Sequence, residues 1–513
     1  MKKPSDIITN YHYKTKMSGH QKYNSSYCDD KMSFQECELA ILRHAVDETE
    51  KLNQQKIANS DEVKKMIDIL EHFLMERKCV CYGGTAINNI LPANDQFYNR
   101  DVDIPDYDFF SANALNDAKD LANIYYKAGY TDVEAKSGVH VGTYKVFVNF
   151  IPMADITEIH SELFKHIWKD SISIKGIHYA PPNFLRMNMF IELSRPAGDV
   201  SRWEKVLKRL SLLNKHYPLE SPVDCQTVDF QRNMESHLED SEKIYIAVRD
   251  AFIDQGLVFF GGYASSLYSK YMHENLRKKV QSIPDFDVLS ENPLSSANVV
   301  QEKLKGMGIH GVKLIHRKPI GEIIPACVEI KVGVDSIAFI YEPIACHNYN
   351  TTTISGKEIR IATIDTILSF YLAFYYADAK YYYKERILCM AKFLFDVEQA
   401  NRLEQRGLLK RFSIDCYGKQ NTLETMRSEK SEMFRVLKKG TREYDRWFLK
   451  YNPAEIYGKT GKTFKKDFSS SSSSFKKKHK QTKRNRNWID IFGKSKKRKN
   501  IFQTKKNRNE YLI

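Results

Sequence analysis

The chain has 513 residues, 42% of them hydrophobic and 28% charged, with a formal net charge of +15. That length exceeds one ordinary core, so two or three domains are expected, and the hydrophobic share is that of a globular protein. No apolar run reaches the roughly 18 residues of a membrane-spanning helix, and the polar residues after Met1-Lys2-Lys3-Pro4 do not form a secretory leader, so a membrane is not an expected partner.

The charge is unevenly placed. Residues 459–513 carry 19 Lys/Arg against 3 Asp/Glu, a local charge of +16, which leaves the preceding chain near neutral. The chain therefore reads as a globule with a basic tail. The nine cysteines show no framework of spacings. Cys79 and Cys81 flank an apolar strand and read as core thiols rather than zinc ligands, because no second pair has metal spacing. The odd count and the absent leader point to a reducing, intracellular setting.

In chain order, residues 1–30 are polar and expected to be poorly ordered. A helix begins after Ser33, where Ser33 and Glu36 have capping-box form and Cys37, Leu39, Ile41, Leu42 and Val46 make an apolar face. A second helix, capped at Ser60 or Asp61, places Val63, Met66, Ile67, Leu70, Phe73 and Leu74 on one side. It delivers the chain to a short strand at Val80-Cys81-Tyr82, which runs into Gly83-Gly84-Thr85 and a new helix. Glycines there let backbone N–H groups approach a ligand closely, and the fresh helix N-terminus favours an anion.

After a polar connection comes Ile104-Pro105-Asp106-Tyr107-Asp108-Phe109-Phe110-Ser111. Alternation along a strand sends Asp106 and Asp108 to the same face. Two carboxylates beside a phosphate cradle form a site for a divalent metal carrying a nucleoside triphosphate. A helix over 115–128, a stop at Gly129 and strands over 131–135 and 145–151 follow. Met153-Ala154-Asp155-Ile156-Thr157 then sets a third acid, Asp155, among apolar neighbours, where a buried charge must be paired or metal-bound. A strand over 174–179 leads to Pro181-Pro182-Asn183 and a helix over 184–193. A helix over 200–214 buries Trp203, Val206, Leu207, Leu210 and Leu213 and carries Arg202, Lys205 and Arg209 on its other side.

The pattern then repeats. Leu257-Val258-Phe259-Phe260 enters Gly261-Gly262-Tyr263-Ala264, and Pro284-Asp285-Phe286-Asp287 follows. Asp285 lies 23 residues after Gly262, and Asp106 lies 22 after Gly84. Residues 353–361 echo Ile172-Ser173-Ile174-Lys175-Gly176-Ile177-His178-Tyr179, so the chain reads as an internal duplication. Matching the copies makes Asp106 and Asp108 the shared strand and leaves Asp101 and Asp103 in a solvated loop. Tyr263 replaces Thr85, which removes a small hydroxyl. The third acid has two alignments: an ungapped count reaches Val334, next to Asp335, whereas matching the strands from Lys145 and Lys331 puts Tyr341 opposite Asp155. The strand match is preferred, so the first copy is expected to be active and the second structural.

The segment over 365–453 is helical. Phe370, Tyr371, Phe374, Tyr375 and Tyr381–Tyr383 suggest base stacking but have core spacing first. Ser469–Ser474 and the following Lys/Arg clusters read as a disordered tail that solubilises or contacts RNA phosphates, with RNA contact preferred. The fold class expected is α+β: two tandem domains that resemble nucleotidyltransferases, each a mixed sheet with helices, the second degenerate. The boundaries are 1–59 for an N-terminal polar segment and helix, 60–225 for the catalytic domain, 226–455 for the degenerate copy with C-terminal helices, and 456–513 for the basic tail.

The Gly-Gly-Thr turn, the Asp106/Asp108 strand and Asp155 resemble the nucleotidyltransferase superfamily that includes DNA polymerase beta. Glu192-Leu193-Ser194-Arg195-Pro196 and Arg202-Trp203-Glu204-Lys205-Val206 narrow this. With them the chain resembles the catalytic poly(A) polymerases of large DNA viruses, of the poxvirus type and its giant-virus relatives. The likeness is strong over 80–218 and looser to about 400.

The resemblance implies template-independent addition of AMP from ATP to an RNA 3′ end, with two Mg²⁺ or Mn²⁺ ions. It implies Asp106, Asp108 and Asp155 as catalytic metal ligands and Gly83, Gly84 and Thr85 at the triphosphate. Arg195, Arg202 and Lys205 are weaker candidates for nucleotide or RNA contacts. Poxvirus enzymes of this kind work with a separate processivity subunit, whereas other relatives self-associate as homodimers. The setting implied is the host cytoplasm or viral factory, or the virion. Competing readings are a terminal uridylyl, CCA-adding or oligoadenylate enzyme, or an inactive RNA-binding scaffold.

Overall fold

The computed structural model describes residues 25–457, except 30, 100–102, 229, 231–239, 275, 276, 278–284, 378 and 380, and the side chains of 53, 54 and 57. The described residues all fall within one compact unit. The basic tail from residue 458 onward, residues 1–24 and Asp101 lie outside the described residues.

Helix α1 (Phe34–Ala58) starts at the expected capping box: the Ser33 N–H donates to Glu36 Oε2 at 2.7 Å and the Glu36 N–H to Ser33 Oγ at 3.3 Å. Its apolar face is not core, however. Leu39, Ile41, Leu42 and Val46 are exposed, and Cys37 is buried. Helix α2 (Asp61–Glu76) buries Val63, Met66, Leu70, Phe73 and Leu74 at helical spacing, as its period requires.

The first sheet is built from β1 (Val80–Tyr82), β2 (Tyr107–Ser111), β3 (Val133–Ser137), β4 (Thr143–Val148), β5 (Ile151–Glu158), β6 (Ile172–Ile174) and β7 (Ile177–Tyr179). Helices α3 (Gly83–Ile90), α4 (Ala114–Lys127), α5 (Ser161–Lys169), α6 (Pro182–Leu193) and α7 (Trp203–His216) accompany it. The strand expected over 145–151 is in fact the end of one strand and the start of the next. Asn149 and Phe150 adopt positive φ (49° and 65°) and turn the chain between β4 and β5.

The second half contains α8 (Ser241–Asp254), β8 (Val258–Phe260), α9 (Gly261–Tyr268), β9 (Phe286–Leu289), α10 (Pro293–Gly306), β10 (Val312–Arg317), β11 (Cys327–Val332), β12 (Asp335–Tyr341), β13 (His347–Ile354) and β14 (Lys357–Ala362). Helices α11 (Ile364–Ala377) and α12 (Lys384–Ala400) follow, then β15 (Cys416–Tyr417), α13 (Leu423–Val436), α14 (Arg442–Phe448), β16 (Lys450–Tyr451) and α15 (Pro453–Tyr457).

Both sheets have eight strands, ordered β16-β3-β4-β5-β2-β1-β7-β6 and β10-β11-β12-β9-β8-β14-β13-β15. Removing β16 from one edge and β15 from the other leaves one and the same order, so the duplication is in the topology as well as the motifs. In each sheet the Gly-Gly strand pairs antiparallel with the Asp-x-Asp strand and parallel with the later hairpin strand. The architecture is the expected α+β pair of mixed sheets.

One hydrophobic core runs through both copies. The equivalent helices α6 and α11 pack on each other, with Phe184 edge-on to Tyr376 at 5.2 Å. Phe370, Tyr371 and Phe374 are buried in that core, which makes them packing residues, whereas Tyr383 is exposed.

Two expectations change. The chain after β15 does not stay with the second copy: β16 pairs with β3 of the first sheet, Arg446 ion-pairs with Glu158 at 3.0 Å, and Lys119 with Asp445 at 2.7 Å. Six of the nine cysteines are joined as Cys28–Cys37, Cys225–Cys389 and Cys346–Cys416. Partners 164 and 70 residues apart leave no spacing signal in a sequence. Cys79, Cys81 and Cys327 are free and buried, the first two as expected.

Candidate active site

The Gly-Gly turn is where strand β1 becomes helix α3. Gly83 has φ 71°, and a Cβ built there would stand 2.7 Å from Asp108 Oδ2. One at Gly84 would meet Arg209 Nη2 and Tyr98 Oη, each at 2.8 Å. The positive φ and the approach of Asp108 call for glycine at position 83, while at 84 the ends of Arg209 and Tyr98 would have to move aside. Thr85 is buried, and its hydroxyl donates to the Asp106 carbonyl at 2.6 Å. The hydroxyl expected beside the phosphates instead ties the start of α3 to the start of β2.

Asp106 precedes β2, Asp108 lies in it, and Asp155 stands directly opposite Asp108 on the parallel neighbour β5. All three line one cleft of about 1080 Å³. Burial, then Asp155, raises the Asp106 carboxyl above its ordinary value. Burial, then Asp106 and Asp155, raises Asp108 to about 7. Three carboxylates facing one space repel one another, which is the electrostatic condition of a cation site.

The structure adds a residue that sequence reading missed. Lys145, paired with Asp155 across β4 and β5, donates its Nζ to Asp155 Oδ2. The signal was present in outline, since Lys145 heads the strand used to align the copies, but its direction was not. Among the described residues no three His, Cys, Asp or Glu side chains converge as a metal cage. Oxygen-only donors at Asp106, Asp108 and Asp155, the last also bonded to Lys145, fit Mg²⁺ or Mn²⁺ better than zinc.

The opposite wall is cationic. Arg202, Lys205 and Arg209 face the cleft from α7 and the turn before it, at helical spacing. Burial, then Arg209 and Arg202, lowers Lys205. Arg209 donates to Tyr98 Oη at 2.5 Å and lies over the Phe97 ring at 5.2 Å. It shares the side of Arg202 and Lys205, so it joins the wall although it was not among the candidates. Arg195 also lines the cleft; burial lowers it to about 10, and its Nε has no hydrogen-bond partner among the described residues. Around it the Ser194 carbonyl accepts from the Asn348 N–H of the second copy at 2.9 Å, and Trp203 Nε1 donates to the Glu192 carbonyl at 3.0 Å. The Glu192–Pro196 and Arg202–Val206 motifs thus join the cleft to the interface between copies.

The equivalent place in the second copy is closed, with a cavity of about 30 Å³ lined by Gly262, Asp285, Asp287, Phe339, Tyr371 and Arg386 among others. Arg386 Nη2 donates to Asp285 Oδ1 at 2.7 Å, both side chains buried. The residue opposite Asp287 on β12 is Phe339, where the first copy has Asp155 opposite Asp108. This corrects the expected Tyr341, which stands opposite Leu289, and Asp335, which begins β12 opposite Val332. Register is set by the hairpin, and a shift by two residues keeps every side chain on its own face, so residue alternation did not expose the error. Asp103 lies in a loop, accepting from the Asn99 N–H at 3.0 Å, consistent with a solvated role.

A duplicated mixed sheet, with a Gly-Gly turn and paired aspartates at one cleft, defines the nucleotidyltransferase class of fold. The comparisons narrow this. Residues 68–199 match the model of the family described as poly(A) polymerase catalytic subunit. A protein of Acanthamoeba polyphaga mimivirus, provisionally named as such a subunit, is 34% identical over 165 residues, covering 31% of this chain and 27% of that protein. Another of the same provisional name, from African swine fever virus, is 29% identical over 172 residues, covering 32% of this chain and 36% of that protein. The match thus spans about a third of these curated relatives. The crystal structure of the Megavirus polyadenylate synthase superposes with a TM-score of 0.69 at 19% identity, covering 86% of this chain and 89% of that one. At that identity the likeness is one of fold. The chain is therefore similar to viral poly(A) polymerase catalytic subunits over 68–199, the stretch that carries Asp106, Asp108 and Asp155, and shares the Megavirus fold over most of its length.

Proposed function

We propose that the protein is a template-independent polynucleotide adenylyltransferase that adds AMP from ATP to RNA 3′ ends. The observation that carries this is one cleft in which three aspartates face a wall of arginine and lysine across a Gly-Gly helix start, within the stretch similar to viral poly(A) polymerase subunits. A triphosphate is drawn to such a place because backbone N–H groups of α3 and the α7 cations neutralise it from two sides.

In this reading Arg202, Lys205 and Arg209 hold the polyphosphate, Gly83 and Gly84 admit it to the α3 backbone, and Asp106 and Asp108 present the metal-binding face. Lys145 orients Asp155, and Thr85 fixes the strand start that carries the first aspartate. Mg²⁺ or Mn²⁺ bound by Asp106, Asp108 and Asp155 would activate the RNA 3′-hydroxyl and neutralise charge on the triphosphate. The hydroxyl oxygen bonds to the α-phosphorus as the bond to the β-phosphate breaks, and pyrophosphate leaves. Positioning and electrostatic stabilisation supply the rate.

The second copy supports the first without chemistry of its own, since Asp285 is engaged by Arg386 and its third position is Phe339. The partners in this reading are ATP and an RNA 3′ end, with a homodimer or a separate processivity subunit distinguished by light scattering. The place of action is the host cytoplasm or viral factory, or the virion, which mass spectrometry of purified particles tests. Among the described residues no helix is long and apolar enough to cross a membrane. The deciding experiment incubates the protein with each labelled nucleoside triphosphate, an RNA primer and Mg²⁺ or Mn²⁺. Long products with ATP alone support the reading; short uridylate or cytidylate products, or none, overturn it.

A further inference from the structure

The cleft walls sort by chemistry, and the one carboxamide among the lining residues is left over. Ile87, Leu185, Met189 and Val206 give it an apolar part beside the aspartates and the cations. Such a slot, with few polar groups, is what a nucleobase occupies. Most neutral hydrogen-bonding side chains that line the cleft are already engaged. Tyr82 Oη and Thr143 Oγ1 bond to Thr157 Oγ1 at 3.0 and 3.2 Å, Thr85 donates to the Asp106 carbonyl, and Tyr98 accepts from Arg209. Asn188, on α6, lines the cleft and makes no side-chain hydrogen bond among the described residues. It belongs to the stripe Leu185, Asn188, Glu192 and Arg195, one face of α6 continued past its end, which points as a whole into the cleft.

We propose that Asn188 reads the base of the incoming nucleotide and selects adenine, an inference that rests on the reading of the site as an adenylyltransferase. A carboxamide has one acceptor and a two-hydrogen donor on adjacent atoms. That pattern meets the 6-amino group and the neighbouring N7 of adenine in a two-bond pair. Guanine offers O6 and N7, both acceptors, and leaves the amide oxygen facing an acceptor. Glu192, one turn further along the same face, is acceptor-only when ionised and holds Arg202 Nε at 3.5 Å, which adds to the mismatch with a keto group. A phosphate contact by Asn188 would be indifferent to the base, and the test separates the two roles.

The test measures kcat/KM for single-nucleotide addition to an RNA primer by the full chain. It uses ATP, purine riboside triphosphate, which lacks the 6-amino group, 7-deaza-ATP, which lacks N7, and GTP. The wild type is expected to prefer ATP over each by about tenfold or more, the discrimination of a good two-bond pair. Asn188→Ala brings ATP and purine riboside triphosphate to within about twofold of each other by lowering ATP more than purine riboside triphosphate, which keeps N7 but has no 6-amino contact to lose. Asn188→Asp, which keeps shape and an acceptor but loses the donor, is expected to lose the preference over 7-deaza-ATP. A general loss of structure lowers all four nucleotides together and leaves their ratios in place. If Asn188→Ala turns over none of them, equilibrium titration of the same variant with ATP and purine riboside triphosphate gives the ratio without catalysis. A wild-type ratio in both variants overturns the inference while leaving the enzyme reading intact. A wild type that adds no nucleotide overturns the enzyme reading, and the titration ratios then judge Asn188 alone.

Discussion

Arg386 donates to the Asp285 carboxylate at 2.7 Å in the interior of the second copy, at the position where the first copy leaves Asp106 facing an open cleft. The ion pair fills the place a cation would take, so the second copy has exchanged a binding site for a packed one. Fold and site are separate demands on a chain, and this copy has kept the first. Asp285→Asn with Asp287→Asn is therefore expected to leave single-turnover adenylation within roughly a few-fold of wild type, under about 1 kcal/mol of barrier. Arg386→Met strands a buried carboxylate and should lower the urea-denaturation free energy by about 3–5 kcal/mol. A large catalytic defect in the Asp285/Asp287 variant with unchanged stability would make the second copy an active site.

The first copy should respond in the opposite way. Asp106→Asn or Asp108→Asn is expected to reduce nucleotide addition on the order of 10³-fold or more, with the fold unchanged by circular dichroism. Near-normal turnover in either variant removes them from the chemistry. Asp155→Asn should behave the same way.

Lys145 leads to a metal-binding prediction. Its ammonium contacts Asp155 and competes there with any divalent ion. Lys145→Met removes that like charge, so Mn²⁺ should bind more tightly in an equilibrium titration, while turnover falls because Asp155 loses its orienting partner. Weaker Mn²⁺ binding together with lower turnover would show that the lysine builds the metal site rather than guarding it.

The titration of Asp108 has a definite sign. Burial and its acidic neighbours hold it at about 7, against 3.8 for an ordinary aspartate. Between those values the folded, metal-free protein keeps a proton that the unfolded chain has lost. The stability this supplies is complete at lower pH and disappears as pH rises through about 7. Metal-free Asp108→Asn, which stays neutral, should therefore exceed the wild type in unfolding free energy at pH 8, by up to about 1.4 kcal/mol per unit of upward shift. The gap should close toward pH 4 and shrink when Mn²⁺ is added to the wild type. A gap that does not change with pH would place the effect elsewhere.

The basic tail is tested by deletion. Removing residues 459–513 takes away a charge of +16 and none of the three aspartates. Single-nucleotide addition should survive, while RNA affinity falls and its log–log salt slope drops by about 0.7 for each lost phosphate contact. An unchanged slope assigns the tail to something other than RNA.

What the residues determined alone were the features that depend on near neighbours. A glycine pair after an apolar strand forces a tight entry into a helix, and alternation puts Asp106 and Asp108 on one face, whatever the rest of the chain does. The duplication was legible for the same reason, because each copy repeats these local patterns at nearly one spacing. The first aspartate pair, the glycine turn and the α7 cations could be read in this way.

Tertiary structure decided whatever depends on which distant atoms meet. Phe339 rather than Tyr341 opposes Asp287 because the β11–β12 hairpin sets the register, and an alignment two residues out keeps the same faces. Lys145 reaches Asp155, Arg386 reaches Asp285 and Cys225 reaches Cys389 across separations of 10, 101 and 164 residues. The return of β16 to the first sheet and the exposed apolar face of α1 are of the same kind. Local pattern says what a side chain can do, but only packing brings it a partner. Packing left an open cleft in one copy of this fold and placed an arginine in the other.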